Sequence, residues 1–157
     1  MAFLVHTGNT NAQNVVNIGK NNITLNSRLM TPEAMWAMGR IASAEASADG
    51  KQIVYQVGYY SVKENKGHQV ICMIDADGKN NRQLTTAATN ETDPTWVNGR
   101  IAYLSQGEIW SMASDGSGRR QLSRTEGNVE GFKFSPDGRK VIIIKSMPFN
   151  EIIKKNP

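Results

Sequence analysis

The side chains of this 157-residue chain that could do chemistry are few. They are two histidines, His6 and His68, one cysteine, Cys72, and several aspartates beside glycine. Serine hydrolysis on an α/β scaffold needs Gly-x-Ser-x-Gly at a strand-to-helix turn. No such segment occurs, and Gly116-Ser117-Gly118 has the wrong spacing and the look of a hairpin turn. His68 lies in the polar stretch Glu64-Asn65-Lys66-Gly67-His68 and reads as a solvated loop imidazole joining two strands. His6 lies near the start of the chain, so no well-placed second histidine is available for a triad. Cys72 is alone, so it forms no internal disulfide and no zinc knuckle. Asp75-x-Asp77-Gly78 faintly resembles a calcium loop, but its glycine falls at the fourth position rather than the sixth, between strands. Asp49 and Asp137 each precede a glycine and read as turn formers. The residues therefore assign no catalytic, cofactor-binding or metal-binding position to this chain.

Binding chemistry is equally sparse. A net charge of +4 is mild. The basic pairs Arg119-Arg120, Arg139-Lys140 and Lys154-Lys155 fall on separate turns with no interleaved aromatics for base stacking, so they read as solvated faces and no nucleic-acid partner is expected. No apolar run approaches the ~18 residues that would span a bilayer. Asn22-Ile23-Thr24 and Asn90-Glu91-Thr92 match the glycosylation sequon, a weak signal. Trp96 and Trp110 fall in strand-like segments and read as packing residues.

The elements that would position these side chains are repeats. Ser47-Ala48-Asp49-Gly50-Lys51 followed by Gln52-Ile53-Val54-Tyr55 recurs as Ser135-Pro136-Asp137-Gly138-Arg139 followed by Lys140-Val141-Ile142. A shortened copy, Trp96-Val97-Asn98-Gly99-Arg100-Ile101-Ala102-Tyr103, lies between them. Out of phase, Asp75-Ala76-Asp77-Gly78 leading to Arg82-Gln83-Leu84-Thr85 reappears as Ser114-Asp115-Gly116 leading to Arg120-Gln121-Leu122-Ser123. Tight hairpin turns need positive φ, which Asp-Gly and Asn-Gly supply. A period near 40 without helical patterning is that of a four-stranded propeller blade. The spacing predicts strands at about 41–47, 52–61, 69–75 and 82–85, then 93–97, 100–105, 108–113 and 119–123, then 131–135 and 139–147. The fold class read from this is all-β: a partial β-propeller of about two and a half blades with one short N-terminal helix. That helix is expected over 31–39, capped by Thr31, opened by Pro32 and closed by Gly39, with Met35, Trp36 and Met38 packed on the first blade.

Three regions follow. Residues 1–12 are like the tail of a secretory signal peptide cleaved after Ala12, with an ordinary frayed terminus as the alternative. Residues 13–30 form an Asn-rich extension with a short strand expected at Ile23–Leu25, and 31–157 form the incomplete propeller. Blades bury their faces against neighbours, and closed rings take typically four to eight. The chain thus reads as part of a larger protein; a free-standing small β domain is the alternative.

The ordered set Thr31-Pro32-Glu33-Ala34-Met35-Trp36-Ala37-Met38-Gly39-Arg40-Ile41, Ser47-Ala48-Asp49-Gly50-Lys51, Tyr60-Ser61-Val62-Lys63, Arg82-Gln83-Leu84-Thr85 and Glu126-Gly127-Asn128-Val129-Glu130-Gly131-Phe132-Lys133-Phe134-Ser135-Pro136-Asp137-Gly138 resembles the opening of bacterial prolyl-oligopeptidase-family serine peptidases, in the dipeptidyl-peptidase and acylaminoacyl-peptidase branch. The likeness covers about 30–147. Ala48 departs from it where proline is usual, as does the short turn at Asn98-Gly99. The resemblance implies a secreted or periplasmic hydrolase that acts on short peptides. In it an N-terminal propeller gates access to a C-terminal α/β-hydrolase domain carrying the Ser-Asp-His triad. None of that family's catalytic residues maps onto this chain, so its partners would be the rest of the propeller and the hydrolase domain. TolB-like periplasmic propellers share the Ser-Pro-Asp-Gly repeat, which leaves a non-enzymatic, protein-binding propeller as the second reading.

Overall fold

The computed structural model describes residues 18–20, 29–125 and 128–146. One short helix, α1 (Pro32–Ala37), precedes ten strands. The first sheet contains β1 (Arg40–Ala46), β2 (Gln52–Ser61), β3 (Lys66–Asp75) and β4 (Arg82–Gln83). The second contains β5 (Glu91–Val97), β6 (Arg100–Ser105), β7 (Glu108–Met112) and β8 (Arg120–Gln121). The third pairs β9 (Val129–Phe134) with β10 (Val141–Lys145). Within each sheet every strand pairs antiparallel with its neighbour, and among the described residues no sheet closes on itself. The fold is all-β, built of open sheets in chain order, as the repeats predict.

The turns repeat atom for atom. Ser47 Oγ donates to Asp49 at 2.6 Å, Lys51 N donates to the same carboxylate at 3.1 Å, and Gln52 N donates to Ser47 Oγ at 3.0 Å. In the third sheet Ser135 Oγ donates to Asp137 at 2.5 Å, Arg139 N at 3.0 Å, and Lys140 N donates to Ser135 Oγ at 2.9 Å. Gly50 and Gly138 sit at φ +69° and +67°, where a Cβ would be strained. The Asp77 and Asp115 turns follow suit, with Lys79 N and Ser117 N donating at 2.9 and 2.8 Å. The four carboxyls are held below the usual 3.8. Hydrogen bonds from the Ser47, Ser117 and Ser135 side chains are the leading cause at Asp49, Asp115 and Asp137, and the Lys79 amide at Asp77. A lowered folded pKa means a contribution present in full above 3.8 and lost as pH falls through the lower folded values. Urea unfolding followed against pH is expected to show a stability loss below that point. Asp137→Asn flattens the loss; an unchanged slope in this variant refutes the assignment.

The core lies between sheets. Val54, Ile71, Met73 and Leu84 of the first sheet meet Ile101, Tyr103 and Met112 of the second, with Trp96 and Trp110 packed alongside. Fully burying such side chains contributes about 1.5–3 kcal/mol each. Leu104 and Ile109 on the opposite face of the second sheet meet Val129, Phe132 and Ile143. Polar stitches cross the first interface. Trp96 Nε1 donates to Glu45 O at 3.3 Å, and Asp93 N, at φ +53° in a β-bulge, donates to Gln56 Oε1 at 2.9 Å. The two Arg-Gln-Leu-Thr/Ser edges are equivalent: Leu84 N reaches Ile71 O at 2.8 Å, and Leu122 N reaches Ile109 O at 2.7 Å. Leu84 is nevertheless buried and Leu122 exposed. Leu84 packs against the four-stranded second sheet, whereas two described strands lie beyond Leu122.

At α1, Thr31 caps as expected, accepting from Ala34 N at 3.2 Å. Two expectations are corrected. The helix ends at Ala37, and Met38 continues in extended backbone, so Gly39 is no left-handed cap. It is needed for close approach: a Cβ there would fall 2.8 Å from both Tyr59 Cε1 and Val57 Cγ1. Ala34 is the buried helix residue, whereas Met35, Trp36 and Met38 keep substantial exposure. Trp36 stacks on Tyr60 with ring centroids 5.0 Å apart, and the Arg40 guanidinium lies 4.9 Å from its centroid. The expected strand at Ile23–Leu25 and the leader-like residues 1–12 lie outside the described residues.

Candidate functional site

The first strands of the three sheets bring their C-terminal ends to one cavity of about 730 Å³. β1 supplies Glu45, β5 supplies Trp96, and β9 supplies Phe132, Lys133 and Phe134. The Phe132 and Phe134 rings meet edge to face at 5.8 Å. The hairpin tips beside them bring Ser47, Asp49 and Ser135 to the same wall. Both hydroxyls are spent on turn closure, each donating to its own aspartate and accepting from a backbone amide. A nucleophilic serine needs a base within hydrogen-bond reach. Among the described residues no histidine lines the cavity. What the site offers is an aromatic and mixed-charge wall where sheets converge.

His68 is the main correction to the sequence reading. It is a buried residue of β3, which begins at Lys66, and is not a solvated loop residue. Its Nδ1 lies 2.8 Å from Ile18 O, and its Nε2 lies 3.0 and 3.3 Å from Ala87 O and Thr89 O. The ring ties the segment at Ile18 and the connection between the first two sheets to β3. All its polar neighbours in this set are carbonyls, and no hydroxyl or thiol is among them. Cys72 is buried beside Val57 and Val70, and burial pushes its thiol up, away from the reactive thiolate. Asp75 ends β3 and accepts from Asn80 Nδ2 at 2.6 Å across the following turn. Gly116 sits at φ +86° in a hairpin turn, as expected for Gly116-Ser117-Gly118. Among the described residues no group of three or more His, Cys, Asp or Glu could hold a metal, and no helix is long and apolar enough to cross a membrane. Asn90 of the second sequon accepts from Gln69 N at 3.0 Å. His6, the Asn22 sequon and Lys154-Lys155 lie outside the described residues.

The basic pairs divide. Arg139 and Lys140 are exposed, as a solvated face requires. Arg119 is exposed as a residue, but its side chain, 31% exposed, reaches inward. It lies 3.5 Å from Glu91 Oε1 and donates to Leu84 O at 2.7 Å, linking the second sheet to the first. Glu91 is 2% exposed and its Oε2 has no hydrogen-bond partner. Nothing in Asn90-Glu91-Thr92 or Gly118-Arg119-Arg120 signals this pair. It appears only once β5 and β8 share a sheet packed on Leu84.

No family model matches the chain. Two curated proteins are similar to it. One is dipeptidyl-peptidase 5 of Porphyromonas endodontalis, 33% identical over 141 residues, which is 85% of this chain and 20% of that protein. The other is dipeptidyl-peptidase 5 of Porphyromonas gingivalis, 37% identical over 131 residues, which is 80% of this chain and 19% of that protein. The chain therefore spans about a fifth of the length of the curated relatives it matches, and the similarity supports a relationship to peptidases.

Proposed function

We propose that this chain is N-terminal propeller material of a secreted or periplasmic serine peptidase that cleaves short peptides, with a scaffolding and gating role. The chemistry would be carried by an α/β-hydrolase domain elsewhere in the longer protein. The observation that carries this reading is the succession of antiparallel sheets whose first strands line one cavity, in a chain similar over most of its length to part of a dipeptidyl-peptidase. Blades alternate such faces around an axis.

The purified chain is expected to leave chromogenic dipeptide and acyl-peptide substrates intact. Turnover abolished by a serine-directed inhibitor would refute the assignment of chemistry elsewhere. Reading the coding sequence beyond Pro157 tests the other half. Continuation into a domain with Gly-x-Ser-x-Gly is expected, whereas a stop after the last blade makes the protein a non-enzymatic binder.

A further inference from the structure

His68 lies buried on β3 with both ring nitrogens turned to backbone carbonyls. Nδ1 lies 2.8 Å from Ile18 O on one side, and Nε2 lies 3.0 Å from Ala87 O and 3.3 Å from Thr89 O on the other. A carbonyl oxygen only accepts, so each side of the ring has to donate. A neutral imidazole carries one N–H and an imidazolium carries two. The cation alone satisfies both sides. In a neutral ring one nitrogen turns its lone pair toward a carbonyl oxygen, and that contact repels.

The two sides are not equal. Nε2 faces two carbonyls of a connection that is held at both ends, by Leu84 N on Ile71 O at 2.8 Å and by Gln69 N on Asn90 Oδ1 at 3.0 Å. Nδ1 faces one carbonyl, and among the described residues no other hydrogen bond ties the segment 18–20. The remaining proton of a neutral ring therefore stays on Nε2, and the bond lost is the one to Ile18. Of the charged and titratable groups around the ring, Tyr59 lies opposite on β2, Lys66 two residues earlier on β3, and Lys20 two residues beyond Ile18. The connection 84–90 carries no charged residue, and Glu91 after it faces Arg119. Among the described residues no carboxylate pairs with the ring, so the carbonyls alone hold its second proton.

We propose that His68 is a proton-operated latch, its imidazolium tying Ile18 to the first sheet and its neutral form letting the segment go. Ile18 is itself buried, and Lys20 lines a cavity of about 840 Å³ on the first sheet with Val57, Tyr59 and Cys72. Opening the latch uncovers that face. The tie is present at low pH and lost as pH rises, because the protonated ring is the form that holds. The latch depends on the ring's surroundings alone and stands apart from the peptidase reading.

Nuclear magnetic resonance of the 157-residue chain tests it, with His6→Ala leaving His68 as the sole histidine and with isoleucine methyls labelled. Ring proton–nitrogen correlations separate the cation from each neutral tautomer. From about pH 5 to 8, the ring is expected to pass from two N–H groups to one, on Nε2. The Ile18 methyl resonances are expected to move in step from packed to solvent-exposed positions. In His68→Gln, whose side chain donates from one end only, they are expected at the exposed positions across the whole range. A neutral ring with Ile18 still packed, Ile18 resonances that ignore the ring's titration, or a folded His68→Gln chain that keeps Ile18 packed would each overturn the proposal. The first two outcomes are read with His68 in place, so they decide even where His68→Gln fails to fold.

Discussion

Arg119→Ala is expected to lower the urea midpoint of unfolding by the equivalent of about 3 kcal/mol or more, with little change in slope. The reason is the environment left behind. Glu91 is 2% exposed, one of its oxygens has no hydrogen-bond partner, and its other faces Arg119 at 3.5 Å. Removing the guanidinium leaves a buried carboxylate uncompensated and takes the donor from Leu84 O. A buried charge stripped of its partner costs more than the intact pair contributes, because desolvation is no longer offset. Glu91→Gln, which keeps shape and hydrogen bonding but removes charge, should be milder. The double variant Glu91→Leu with Arg119→Met should recover most of the stability lost in Arg119→Ala. If Arg119→Ala behaves like an exposed substitution, within about 0.5 kcal/mol of the parent, the pair has no structural role.

That pair also marks the limit of what the residues disclosed in advance. Turn chemistry was legible because it is local. Ser-x-Asp-Gly followed by Lys or Arg closes through hydrogen bonds spanning five residues, and both copies adopt the same bonds. Strand positions followed from the turns, since a hairpin whose tip is fixed has its register fixed. His68 was misread for a local reason: Glu64-Asn65-Lys66-Gly67 is polar, yet the turn is over by Asn65, at φ +48°, and Lys66 already pairs with Ser61. A period-two trace, His68, Val70, Cys72, was present and places the imidazole on an apolar face. Burial of Glu91, by contrast, depends on a sheet that approaches across tens of residues, and no local pattern encodes it. The convergence of first strands on one cavity, and its aromatic wall, depend on how the sheets pack and on the β9 register, neither of which is local. Gly39 shows the same division. Read locally it is a helix cap, which it is not, since the helix ends at Ala37; its closeness to Tyr59 and Val57 arises from tertiary packing.

Repeat-equivalent residues allow the contribution of neighbours to be measured directly. Tyr103→Ala is expected to cost about 3–5 kcal/mol, as large aromatic truncations in a core do. The ring is 1% exposed among residues of both sheets, and burial pushes its hydroxyl pKa up. Tyr55 occupies the matching position in the first sheet with only partial burial, and its hydroxyl donates to Asn81 Oδ1 at 2.6 Å on an exposed rim. Tyr55→Ala should therefore cost markedly less. The two positions have the same residue type and the same strand pairing, so the gap in cost isolates what an adjacent sheet contributes. Equal costs would mean that strand pairing, not sheet-on-sheet packing, holds these tyrosines.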